Sequence, residues 1–154
     1  IPDQVVSDFS AAVTAEYTKH WADNTKPYPG VPELLVRLEK LSLHKAVLSN
    51  KPHRFTQAMV DQLLSFCSFD IVQGMTPSIP PKPDPAAALA MAERLRIPPA
   101  DFLYIGDTNT DMLTANAAGM FAAGALWGFR TADELLQSGA GVLLERPIDV
   151  LSLL

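Results

Sequence analysis

Short apolar runs that stop at polar or glycine residues alternate along this chain with longer stretches of three- and four-residue apolar spacing. "KAVLS" (45–49), "FDIVQ" (69–73), "FLYIG" (apolar over 102–105), "MFAAGAL" (120–126) and "GVLL" (141–144) read as strands. Residues 53–66, 85–96, about 110–118 and the short "ADELLQSG" between the last two strands read as helices. The strands lack a clean two-residue alternation, which is expected when both faces of a sheet are covered. Strand and helix in turn predict an α/β fold with a doubly wound parallel sheet.

The helix ends have chemical punctuation. Asp84 is a candidate N-cap with Pro85 at the first helical position, and Gly119 is a good stop for the helix near 110–118. Ahead of the alternation, Val6, Phe9, Val13, Tyr17 and Trp21 recur at helical intervals within 3–23. The breaker-rich "NTKPYPG" (24–30) follows, then a second helix carrying Val31, Leu34, Leu35, Leu38 and Leu41. We therefore expect a lone helix and linker over 1–28 and an α/β domain over 29–154. The opening "IPDQVV" reads like the interior of a longer protein.

Bulk properties narrow the partners. With 154 residues, 48% hydrophobic and 19% charged, the chain is long and apolar enough for one real core. A net charge of −5 argues against nucleic acid and anionic membranes. No apolar stretch approaches the ~20 residues that span a bilayer. The single Cys67 sits in "LLSFCSFD", the setting of a buried inert thiol, and allows no internal disulfide. His20, His44 and His53 are isolated from one another, so no histidine metal cluster is expected. The expected location is the cytoplasm.

Ligands of open α/β sheets bind beyond the carboxyl ends of the strands. Ser49, Asn50 and Lys51 follow the run at 45–49; the proline loop "SIPPKPDP" (78–85), with Lys82, follows the run at 69–73; Asp107 and Asp111 follow the run at 102–105. Two carboxylates, a hydroxyl, an amide and two ammonium groups suit a metal-bound phosphate. Mg²⁺ takes oxygen ligands, commonly one or two carboxylates plus a substrate phosphate. Asp107 is a candidate ligand, and Asp111, in the first helical turn, a candidate ligand or organiser of metal waters. Ser49 and the backbone N–H groups around Asn50 are candidate phosphate donors, and Lys82 is a point cation. Each residue also has a plainer role. The aspartates would favour a helix N-terminus, Ser49-Asn50 would form a turn, and Lys82 would be a solvated lysine. Their order along successive strands favours the site.

On these motifs the chain resembles the haloacid dehalogenase superfamily of phosphohydrolases, and within it phosphoglycolate-phosphatase-like proteins. "VLSNKP" is similar to the second family motif, "PKPDP" to the third and "YIGDTNTDMLTANAAGM" to the fourth. "YPGVPELLVRLEK" resembles the segment that re-enters the core after a helical cap, and 3–23 the last cap helix. The likeness implies a Rossmann-like core with a cap remnant, Ser49 and Lys82 as catalytic phosphate-binding groups, Asp107 as Mg²⁺ ligand and Asp111 as its supporting acid. It also implies hydrolysis of a small phosphorylated metabolite through an aspartyl-phosphate. The family's first motif, Asp-x-Asp at the end of the first strand, has no counterpart in these residues. The nucleophile is expected outside them, on a strand between those at 45–49 and 102–105, supplied by an N-terminal segment or a neighbouring chain. A phosphosugar mutase of the same family and a non-catalytic phosphate- or partner-binding module are the alternatives.

Overall fold

The structure is a computed structural model describing all 154 residues. Helix α1 (Asp3–His20) precedes α2 (Val31–Leu38), and alternation then begins: β1 (Ala46–Pro52), α3 (His53–Leu63), β2 (Ile71–Met75), α4 (Ala86–Leu95), β3 (Leu103–Gly106), α5 (Asn109–Ala117), β4 (Phe121–Ala125), α6 (Ala132–Gln137) and β5 (Val142–Leu144). Short 3₁₀ turns at Pro99–Asp101 and Pro147–Leu153 complete the chain. Every strand pair is parallel.

β4 explains why the apolar pattern does not alternate. Ala122 belongs to a cluster with Ala88, Ala92, Met112, Ala115, Ala118, Met120 and Leu135, whereas its neighbour Ala123 packs with Leu34, Leu144 and Val150. Successive side chains point to opposite faces of a strand, so both faces of β4 are core. Small residues there let helices press close on each side.

The sheet is not continuous. β1 pairs with β2, and β3, β4 and β5 form a separate three-stranded sheet in that order. β1 and β3 each have one edge without a strand partner. The runs at 45–49 and 102–105 were expected to be buried; instead β1 has no buried residue and Ile105 of β3 is 38% exposed. Both strands lie at open sheet edges, and that position, not a lack of apolar residues, accounts for their exposure. A compact monomer of 16.7 kDa exposes about 7,600 Å², and this chain exposes 9328 Å².

α1 contributes to that excess. It has the expected spacing yet buries no residue, and Phe9 is 71% exposed. Its one aromatic anchor is Tyr17, edge-on to Phe55 of α3 with ring centroids 4.9 Å apart, a favoured aromatic geometry. The apolar positions at helical spacing in α1 are therefore left largely exposed in this chain.

Candidate active site at the strand ends

Asp111 is the hub of the carboxyl-end cluster. Thr108 caps α5: its hydroxyl accepts from the Asp111 N–H at 3.3 Å, and the Asp111 Oδ2 accepts from the Thr108 N–H at 3.1 Å. This reciprocal capping box satisfies two helix-end donors at once. The same Oδ2 accepts the Thr108 hydroxyl at 2.7 Å and the Asp107 N–H at 3.3 Å. Oδ1 receives the Lys82 ammonium at 2.6 Å, and the two side chains are only 12% (Lys82) and 8% (Asp111) exposed. A buried ion pair costs desolvation unless its spare donors and acceptors are met. Here the Leu48 carbonyl of β1 takes a second Lys82 N–H at 3.4 Å. Lys82 thus ties β1 to the first turn of α5, the helix that follows β3.

Asp107 is less committed. Its Oδ2 accepts the Phe129 N–H at 3.1 Å, and no protein donor reaches Oδ1. The close approach depends on glycine. A Cβ at Gly128 would lie 2.2 Å from the Asp107 Cβ, and one at Gly106 would lie 2.1 Å from the Asp111 Cβ. Each carboxylate therefore sits against a backbone segment that has room only for hydrogen.

At the end of β1, pairing with β2 slips between Leu48 and Pro52, so Ser49, Asn50 and Lys51 occupy an irregular bulge. Bulges re-aim side chains and commonly lie beside functional sites. The Ser49 Oγ accepts the Lys51 N–H at 3.1 Å, which leaves the hydroxyl proton free to donate. The Asn50 carboxamide accepts the Lys82 N–H at 2.8 Å and donates to the Lys82 carbonyl at 3.0 Å. With that side chain engaged on Lys82, a phosphate at Asn50 would meet backbone donors.

Lys82, Asp111, Asp107 and Asn50 therefore form one bonded network, which Ser49 joins only through its chain neighbour Asn50. The sequence reading missed Gly128 and the Phe129 N–H; the signal available was a glycine between two aromatics in "LWGFR". It also missed Tyr104, whose buried hydroxyl has no partner. Burial, and secondarily the Asp111 carboxylate, push the Tyr104 phenol above its ordinary range, so it stays neutral. Cys67 lies outside the network, bonded to Glu39 at 3.8 Å. Burial, and secondarily the Glu39 carboxylate, raise its thiol pKa, which disfavours the thiolate.

The donor set fits a hard divalent cation in part. Asp107 offers one unengaged carboxylate oxygen, whereas both Asp111 oxygens are occupied. The chain has no cluster of three potential ligand side chains. Mg²⁺ would complete its shell with water, phosphate and a further carboxylate.

Parallel strands with a lysine-paired aspartate and a second aspartate beyond their carboxyl ends define a class. The haloacid dehalogenase-like hydrolase family profile matches residues 2–125, and the chain belongs to that family. It is 29% identical over 152 residues to phosphoglycolate phosphatase 1 of Pseudomonas aeruginosa, covering 97% of this chain and 56% of the relative. It is 32% identical over 146 residues to the N-acetylmuramic acid 6-phosphate phosphatase of the same organism, covering 90% and 62%. Among solved structures, a hydrolase from Pseudomonas syringae is similar at 27% identity with a TM-score of 0.80, over 99% of this chain and 69% of that one. A candidate phosphoglycolate phosphatase from Lactobacillus delbrueckii subsp. bulgaricus is 29% identical with a TM-score of 0.88, over 97% and 62%. The chain thus spans little more than half the length of these curated relatives.

Proposed function

We propose that these residues are the C-terminal part of a Mg²⁺-dependent, cytoplasmic phosphomonoesterase that acts on a small phosphorylated metabolite. The observation that carries the reading is the network in which Lys82 ties Asp111, at the start of α5, to the end of β1 while Asp107 keeps an oxygen free. Ser49 donates its hydroxyl proton to a phosphoryl oxygen, backbone N–H groups at Asn50 assist, and Lys82 offsets phosphate charge. Asp107 holds the cation, and Asp111 keeps Lys82 and the Asp107 turn fixed. Such preorganised groups are the main requirement of phosphoryl transfer. When bound, Mg²⁺ supplies Lewis-acid stabilisation of the phosphoryl oxygens.

The nucleophile is an aspartate on a strand from outside residues 1–154: its carboxylate attacks phosphorus, the ester P–O bond breaks and the alcohol leaves, and water then hydrolyses the aspartyl-phosphate to inorganic phosphate. The unpaired edges of β1 and β3 support a strand in that slot, supplied by an N-terminal segment or a neighbouring chain. Residues 1–28 form a cap remnant and 29–154 the core. The relatives' names favour phosphoglycolate-like esters, and one relative named for a phosphosugar keeps the substrate class wider. A β-phosphoglucomutase-like structure with a TM-score of 0.80 keeps transfer between substrate hydroxyls as a second reading.

The test is p-nitrophenyl phosphate hydrolysis by the full-length protein with Mg²⁺ and with EDTA, alongside Asp107→Asn. Expected are Mg²⁺-dependent phosphate release and its loss in a folded Asp107→Asn protein. Phosphosugar isomer formation without phosphate release would favour the mutase. Wild-type turnover by Asp107→Asn at limiting Mg²⁺ would refute the ligand assignment, and phosphate binding without turnover would leave a binding module.

A further inference from the structure

The loop that carries Lys82 has almost nothing with which to hold itself. Between Pro80 and Pro85, residues 80, 81, 83 and 85 are prolines and lack an N–H. Only Lys82 and Asp84 have backbone donors there, and the Asp84 N–H is already spent on the Pro81 carbonyl at 3.1 Å. The Lys82 N–H is the one donor left for tethering the loop, and the Asn50 carboxamide takes it at 2.8 Å. The same carboxamide returns a bond to the Lys82 carbonyl at 3.0 Å. A side-chain amide carries a donor and an acceptor side by side, so it can close on a peptide unit's N–H and C=O together. A carboxylate there would keep the N–H bond and oppose the carbonyl; a serine has one atom for the two contacts.

We propose that Asn50 is the positioning residue of Lys82. Its carboxamide locks the proline loop to the end of β1, and that lock delivers the ammonium to the Leu48 carbonyl and to Asp111. Asn50 then acts on the reaction through Lys82 and not through side-chain contact with phosphate. The catalytic part of this inference rests on the phosphatase reading above; the clamp itself rests on geometry alone.

The test uses the full-length protein and the variants Asn50→Ala, Asn50→Asp, Lys82→Met and Asn50→Ala/Lys82→Met. Two readouts are taken: steady-state kinetics, and hydrogen exchange of the Lys82 backbone amide by NMR. Expected is a 10- to 100-fold fall in kcat for Asn50→Ala with KM within about threefold, a value set by analogy with loss of one preorganised group. The Lys82 amide should exchange at least tenfold faster. Asn50→Asp, which keeps the N–H acceptor, should retain part of the protection. The double variant should be no slower than Lys82→Met alone, because groups acting as a unit are not additive. Unchanged exchange at Lys82, or a double variant slowed by the product of the single effects, would overturn the proposal and assign Asn50 to the phosphate. If wild type shows no phosphatase turnover, the phosphatase reading fails, and the exchange experiment still decides the clamp.

Discussion

Adding one methyl group at Gly128 should cripple metal use without replacing any charged residue. A Cβ there would lie 2.2 Å from the Asp107 Cβ, 2.3 Å from its Oδ2 and 2.6 Å from its Cγ. Ordinary contact begins near 3.4 Å, so the carboxylate or the loop must move by about 1.2 Å. Neither can retreat freely, because the Phe129 N–H one residue on donates to that same Oδ2. Forcing extra volume into a packed site costs about 1–3 kcal/mol. A misplacement of about 1 Å can cost on the order of 10² in rate. Gly128→Ala in the full-length protein should therefore lose about 1–3 kcal/mol in urea unfolding. It should also need more Mg²⁺ for half-maximal phosphatase activity and lose about 10² in kcat/KM. Stability within about 0.5 kcal/mol of wild type, together with an unchanged Mg²⁺ titration, would refute the claim that this loop sets Asp107.

Two further outcomes follow from buried or bonded charge. Lys82→Met leaves the Asp111 carboxylate without its cation; removing one partner of a buried pair costs about 3–5 kcal/mol, with the lower end expected because the Asp107 and Thr108 donors remain. Turnover should fall by about 10² or more, and an unchanged kcat/KM would return Lys82 to a structural role. At the opposite end of the sheet, the Ser68 hydroxyl and N–H hold Glu39 below its ordinary pKa, and the Lys45 N–H with the His44 ring does the same for Asp70. Depressed carboxylates stabilise the fold above their unfolded pKa and lose that contribution as pH falls through the folded value. Thermal stability should thus hold down to about pH 4 and decline below it; a Tm that rises between pH 4 and pH 3 would contradict these pairings.

Much of this architecture is legible in the sequence because it is locally encoded. Apolar runs, Pro85 and the Gly119 stop locate the elements to within a few residues, and the aspartates, Ser49 and Lys82 stand out by following successive strands. What the sequence hides is non-local. Nothing near Asn50 announces that its amide closes on a lysine 32 residues away. Nothing near Gly128 announces the carboxylate it must clear. The apolar run at 45–49 predicted a buried β1, but apolarity reports which segment favours burial and not whether the chain folds cover over it. The division of the sheet between β1 and β3 could be argued from the missing Asp-x-Asp, and the structure meets that expectation with two sheets.

The central claim is that residues 1–154 carry the phosphate and metal groups while the attacking aspartate lies outside them. The direct measurement is phosphate release from p-nitrophenyl phosphate, with and without Mg²⁺, by residues 1–154 purified to a single intact mass and by the full-length protein assayed beside them. Mg²⁺-dependent turnover by the full-length protein and none by residues 1–154 is the predicted result. Mg²⁺-dependent turnover by the pure 1–154 chain would put the nucleophile inside it and contradict the claim.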